Sequence, residues 1–202
     1  CAVFGGGYLL HKLQVDRNAD IFRERAETAD EDGQFGPAVR NYNRYLRFRP
    51  EDTAVRAKLG QLLEDNASSA RHLLQAYLTY EKILLDEENQ DDVRQRLIDV
   101  ALRIGRSVDA KSHIERLLLK TPGNAELIYK LGLCAESENH LQQAATLYQQ
   151  AIETGYQEPA VFQHLANIFL QELDRGEEAS TLIDDMVKAN PESATALLTR
   201  AR

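Results

Sequence analysis

The chain has 202 residues, 43% hydrophobic and 28% charged, which is enough for one or two soluble domains with a real core and excludes wholesale disorder. Its formal net charge of -8 argues against nucleic acid as a partner, because that binding relies on Lys and Arg neutralising phosphates. Its two cysteines, Cys1 and Cys134, form neither a CxxC pair nor a disulfide framework, and Cys134 reads as a small buried core residue.

Residues 1–18 read as a leader. The first ten, "CAVFGGGYLL", are apolar and uncharged, and "HKLQVDR" then turns polar. Ten residues cannot span a bilayer, which takes about 20 in a helix. The opening Cys in place of Met fits a fragment or a processed product. Residues 1–10 are therefore expected to be the end of a truncated membrane anchor, with Tyr8 and Lys12 at the interface and the chain membrane-associated. A lipidated N-terminal Cys and an ordinary leader on a cytoplasmic protein are the alternatives. His11 and Lys12 are too few basic residues to say which side of a membrane the chain occupies.

From residue 19 onward the pattern is helical, and it echoes itself. In 19–52, Gly33 ends a first helix in the left-handed conformation and Gly36-Pro37 marks the turn; a second helix then carries Ala38, Tyr42 and Tyr45 on one face until Pro50 stops it. In 53–90 the same spacing returns as Ala76, Tyr80 and Ile83, with about four extra residues near "EDNASSARH". In 91–124 it is Ala110, Ile114 and Leu117, closed by Pro122. Segment 125–158 places Ile128, Leu131, Gly132 and Ala135 on one face of its first helix and Ala144, Tyr148 and Ala151 on its second. Segment 159–193 repeats this with Phe162, Leu165, Ala166 and Phe169, then Ala179, Ile183, Met186 and Pro191, with about one extra residue near "DRGEEA". "ESATALLTRAR" then opens a further helix with Ala194, Leu197 and Leu198, which either caps an array or begins its continuation; continuation is the preferred reading.

Residues four and then three apart share one helical face, and the small Ala lets a neighbouring helix approach. This pattern resembles the tetratricopeptide repeat family, whose signature is W-x2-L-G-x2-Y…A-x3-F…P over 34 residues. Residues 19–202 are covered by the resemblance, as five divergent copies and the start of another helix. No copy has the Trp; Arg25 stands where Leu is usual, and Arg56 and Arg94 stand where a large apolar residue is usual. The resemblance implies an all-α fold, a right-handed superhelical solenoid of antiparallel helix hairpins, whose first helices line a concave surface that binds a peptide or helix of another protein.

Subtracting the packing positions from those first helices leaves mostly acidic and polar side chains, among them Asp20, Glu27, Asp30, Gln61, Glu64, Asp92, Glu126 and Glu136. The expected partner-binding residues are Gln95, Asp99, Tyr129, Leu133, Gln163, Asn167 and Leu170. Tyr129, Leu133 and Leu170 would give apolar contact, Gln95, Gln163 and Asn167 hydrogen bonds to an extended backbone, and the acidic residues attraction for basic flanks. The partner is thus a protein or peptide segment with basic flanks and an apolar centre. Packing of Tyr129 and Leu133 within the array, and a merely solvated acidic face, is the competing reading. A chaperone-tail clamp is disfavoured, since of the Lys and Asn it needs only Asn167 is present.

No catalytic, metal or cofactor site is expected. His11, His72, His113, His140 and His164 form no HExxH or Cys/His cluster; Asp109, Ser112 and His113 lack a nucleophile elbow, and Gly5-Gly6-Gly7 lacks the phosphate-loop pattern. Function therefore reads as an interaction scaffold, with a regulatory or substrate-recruiting segment of a larger enzyme and a self-assembling structural array as alternatives. The sequence leaves the oligomeric state open.

Overall fold

The computed structural model describes residue 17, residues 19–171 and residues 175–200. Of the leader, residues 1–16 and 18 lie outside the described residues, and with them the expected tether through 1–10. Among the described residues every regular element is an α-helix, and no helix is long and apolar enough to cross a membrane. The chain divides into two compact units, Cys1–Ile104 and Gly105–Arg202.

The first unit contains α1 (19–31), α2 (Phe35–Phe48), α3 (Thr53–Asp65), α4 (Ala70–Asp86) and α5 (Asp91–Arg103); α2 packs on α3, α3 on α4 and α4 on α5. The helices start and stop where local chemistry says they should. Gly33, at φ +68°, ends α1 with its N–H on the Asp30 carbonyl and the Gln34 N–H on the Ala29 carbonyl. Asp52 caps α3 by accepting from the Val55 N–H at 2.9 Å, and its other oxygen accepts the Tyr45 hydroxyl at 2.6 Å. One carboxylate thus joins the end of α2 to the start of α3.

The second unit contains α6 (Ser107–Lys120), α7 (Ala125–Ser137), α8 (Leu141–Glu153), α9 (Pro159–Gln171), α10 (Gly176–Ala189) and α11 (Ala194–Arg200). Between α7 and α8 the left-handed residue is Asn139, at φ 61°, with the same pair of closing bonds to Glu136 and Ala135 as at Gly33. Asn is the residue best able to replace Gly there, since its short side chain tolerates that region.

Each core is built by fitting a small residue on one helix to a large one on the next. Ala38, Ala76, Ala110, Ala144 and Ala179 are all fully buried. Within hairpins, Gly60 faces the Tyr80 ring and Gly132 the Tyr148 ring so closely that a Cβ at either glycine would lie 2.5 Å from a ring carbon. The two buried arginines replace apolar residues by reaching back to main chain: Arg56, 7% exposed, donates to the Pro50 carbonyl and to Asp86 Oδ2 at 3.2 Å, and Arg94, 4% exposed, donates to the Glu88 carbonyl. Their guanidinium groups tie each helix start to the turn before it, which explains how these departures from an apolar pattern are accommodated.

Candidate partner-binding surface

The tyrosines that fill the hairpins also organise the charges on the first helices. Tyr42 Oη donates to Asp30 Oδ2 at 3.3 Å, Tyr80 Oη to Glu64 Oε2 at 2.7 Å, and Tyr148 Oη to Glu136. Each acid lies four residues past the small residue that admits the ring: Ala26, Gly60 or Gly132. In α9–α10 the chain has Ala166, Ile183 and, in place of the acid, Leu170, so the carboxylate is absent where there is no hydroxyl to meet it. Burial, reinforced by the adjacent carboxylate, pushes the Tyr42 phenol up to about 12 and those of Tyr80 and Tyr148 higher still, so all three remain donors.

The next first helix supplies a base to two of these acids. Arg96 Nη1 lies 3.1 Å from Glu64 Oε2, and His164 Nδ1 lies 2.9 Å from Glu136 Oε2. Burial opposes ionisation of Glu136, yet the hydrogen bonds from His164 and Tyr148 outweigh it and hold the carboxyl below its usual range. Glu64 and Glu136 are therefore committed to internal joints and are not loose charges waiting for a ligand.

The expected binding residues divide between the units. On α5, Gln95 is exposed and Asp99 half-buried. In the second unit Tyr129 is 9% exposed, its ring stacked on Tyr156 at 4.7 Å between centroids and tilted against Tyr148 and His164, and burial pushes its phenol up to about 12. Leu133 is half-buried against the same core. Gln163 donates its amide to Thr199 Oγ1 of α11 at 2.8 Å, while Asn167 and Leu170, the latter 52% exposed, face outward. Among the described residues no group of three or more His, Cys, Asp or Glu is placed to hold a metal ion.

A cleft of about 310 Å³ opens between α1 and α3 in the first unit. Glu27, Asp30, Glu31 and Asp65 line it, opposed by Lys58, with Gln61, Tyr42 and Leu62 completing the wall. Lys58 Nζ reaches Glu27 Oε1 at 2.8 Å, and Arg23 Nε reaches the same oxygen at 3.2 Å; chiefly the Lys58 bond holds the Glu27 carboxyl below its usual range. Among the described residues Glu31 and Asp65 have no ion-pair partner, so the cleft carries net negative charge. Glu27, Asp30 and Gln61 lie on the face obtained by subtracting packing positions, but Glu31, Lys58 and Asp65 were not singled out. The available signal was the lengthened turn after α3, which begins at Asp65-Asn66 and brings those two residues to the mouth of the cleft.

Small residues admitting large rings between paired helices, and first helices that carry the polar surface, define an α-helical repeat fold. Residues 96–159 match a family model described as tetratricopeptide repeat. The fold is similar to that of MamA from Desulfovibrio magneticus RS-1, with a TM-score of 0.71 at 19% identity over 88% of this chain and 97% of that one. It is also similar to a further MamA crystal structure, at 0.71 and 18% identity over 89% and 95% of the two chains. A third similar structure is YrrB, titled a TPR protein with an unusual peptide-binding site, at 0.67 and 16% identity over 88% and 89%. No curated protein matches the chain in sequence. Residues 96–159 thus match tetratricopeptide repeats, and the chain shares the fold of these solved structures.

Proposed function

We propose that the chain is a protein-interaction module that binds a segment with basic flanks and an apolar centre, held in the first unit by the α1–α3 cleft. The observation that carries this reading is the imbalance of charge in that cleft, where Glu27, Asp30, Glu31 and Asp65 face Lys58. A lysine or arginine of the ligand would find carboxylates already gathered and partly shielded from water, while Leu62 and Tyr42 offer apolar contact between them. The peptide-binding site named for YrrB, which shares the fold, supports a ligand of peptide size. Gln95 and Asp99 on α5 extend the polar surface of the first unit. In the second unit Leu133, Gln163, Asn167 and Leu170, with Tyr129 beneath them, form a second contact region. Tethering through residues 1–10 would place this module at a membrane.

The test is fluorescence anisotropy with a labelled peptide carrying Lys and Arg on both sides of a Leu-Tyr centre. Reversing two exposed charges, Glu31→Lys with Asp65→Lys, should weaken binding by about tenfold or more, and raising the salt should weaken binding to the parent in the same direction. Equal affinity for parent and a variant shown by circular dichroism to be folded would overturn the reading.

A further inference from the structure

We propose that the opposite face of the first unit, between α2 and α4, docks an acidic protein segment with an apolar anchor. This surface is separate from the α1–α3 cleft and independent of what that cleft binds.

The helix α2, FGPAVRNYNRYLRF, contains three arginines and no carboxylate. Arg40, Asn43 and Arg47 fall at i, i+3 and i+7 and form one exposed stripe. On α4, Arg71, Leu74, Leu78 and Lys82 form a second exposed stripe at i, i+3, i+7 and i+11. A groove of about 400 Å³ lies between α2 and α4, floored by Leu46, Leu59 and Leu78 and edged by Arg47, Arg56 and Lys82, and no carboxylate lines it. Leu78 is 55% exposed and Leu74 42%, so open leucine lies beside the arginines of α2.

The charge pattern is what selects the occupant. Several arginines of this acidic chain are matched, Arg23 with Glu27, Arg96 with Glu64, Arg106 with Asp109 and Arg175 with Glu178. Beside the groove, Arg56 and Lys82 share Asp86, at 3.2 and 2.8 Å, but among the described residues Arg40, Arg47 and Arg71 have no ion-pair partner. Arg44 leans away, over the Phe22 ring at 5.6 Å. An acidic segment would satisfy the unmatched cations while a Leu- or Phe-sized side chain fills the leucine floor. A bilayer surface or a phosphate backbone would use the cations and leave that floor unfilled, so a protein segment fits the whole site.

The full chain is titrated with a labelled peptide bearing Glu and Asp on both sides of a Leu-Phe pair, beside the same peptide with Lys in place of the acids. The acidic peptide should bind and the basic version should not use this face. Arg40→Glu with Arg47→Glu should weaken the acidic peptide at least tenfold, and Leu78→Ser alone should weaken it severalfold, while Glu31→Lys with Asp65→Lys leaves it unchanged. The basic-flanked ligand of the α1–α3 cleft should respond in the opposite manner, so failure of one surface is distinguishable from failure of the other. Undiminished acidic-peptide binding by the folded arginine variant overturns the proposal. So does binding of phosphatidylserine vesicles or a single-stranded RNA that depends on Arg40 and Arg47 but ignores Leu78→Ser, with the acidic peptide failing to bind.

Discussion

Gly132→Ala should destabilise the second unit, although alanine is the better helix former. A Cβ at residue 132 would lie 2.5 Å from Tyr148 Cε1 and 2.7 Å from Cδ1, against about 3.5–4.0 Å for an optimal carbon contact. The ring has little room to give way. Tyr148 is fully buried, its hydroxyl is held by Glu136, and Tyr129 and His164 flank it. Overpacking of this kind costs about 2–3 kcal/mol, and the gain in helix propensity returns about 1, for a net loss of about 1–2 kcal/mol. The chain has no Trp, so urea unfolding is followed by far-ultraviolet circular dichroism, where the loss appears as a midpoint lowered by about 0.5–1 M. The control is Gly123→Ala, whose Cβ meets nothing within 4 Å and should be close to neutral. Adding Tyr148→Ile to Gly132→Ala recreates the Ala166 and Ile183 combination of α9–α10 and should cost less than the sum of the two single changes, a coupling of about 0.5–3 kcal/mol. A stability gain from Gly132→Ala alone, or strict additivity in the double variant, would refute this account of the packing.

Three further outcomes follow from the charges and the buried groups. Glu136 is held below its usual carboxyl range in the folded chain, so its ionised form stabilises the fold above that range and the contribution fades as pH falls through the lowered value; Glu136→Gln should flatten this part of an acid-unfolding profile, and an unchanged profile would show that the Tyr148 and His164 bonds do not stabilise the charge. Arg56→Met should cost about 1–2 kcal/mol in urea unfolding, because it keeps the buried stem and loses the hydrogen bond to the Pro50 carbonyl, while half-exposed Asp86 retains Lys82; a neutral result would mean that the carbonyl finds another donor. Burial pushes the Cys134 thiol up to about 11, so at pH 8 it should react with a disulfide reagent only as fast as the unit opens, with prompt reaction on adding urea; rapid labelling in the native state would place the thiol at the surface.

The helical class and the repeat pattern were legible because their determinants are local and periodic. Ala38, Tyr42 and Tyr45 recur as Ala76, Tyr80 and Ile83 and as Ala144, Tyr148 and Ala151, and all nine are buried. Ile183 occupies the corresponding place on α10 but stays half-buried. The surface was less legible, because the charges left after subtracting packing positions do not reveal their own partners. Glu64 and Glu136 read as free acidic residues on a first helix, whereas each accepts a tyrosine hydroxyl from sixteen or twelve residues along the chain and a base from the next first helix. Gln163, read as a backbone-binding amide, directs one of its two N–H donors to Thr199, 36 residues away. Such pairings depend on the way successive hairpins stack, which no single spacing encodes. The acidic cleft and the α2–α4 groove share this origin: their walls come from helices two apart in the chain.

The joint between ring and acid has a consequence for how charge is distributed in this chain. A buried tyrosine needs an acceptor, and where Tyr42, Tyr80 and Tyr148 fill the hairpin the first helix provides Asp30, Glu64 or Glu136 at the same turn. Where isoleucine replaces tyrosine, at Ile183, the turn carries Leu170 and no acceptor is needed. Part of the acidity of the first helices is thus set by what fills the core behind them. The charge not engaged within the fold is smaller and more local: Glu31 and Asp65 on one side of the first unit, and on the other an absence of acid along α2 that leaves Arg40 and Arg47 without an ion pair among the described residues. Net charge of -8 conceals this division, because the first unit presents opposite signs on the clefts between α1 and α3 and between α2 and α4. On the two proposals made above, a basic segment and an acidic one would each lie on its own pair of helices and would not compete for contacts, since apart from the shared helices the two clefts have no lining residue in common.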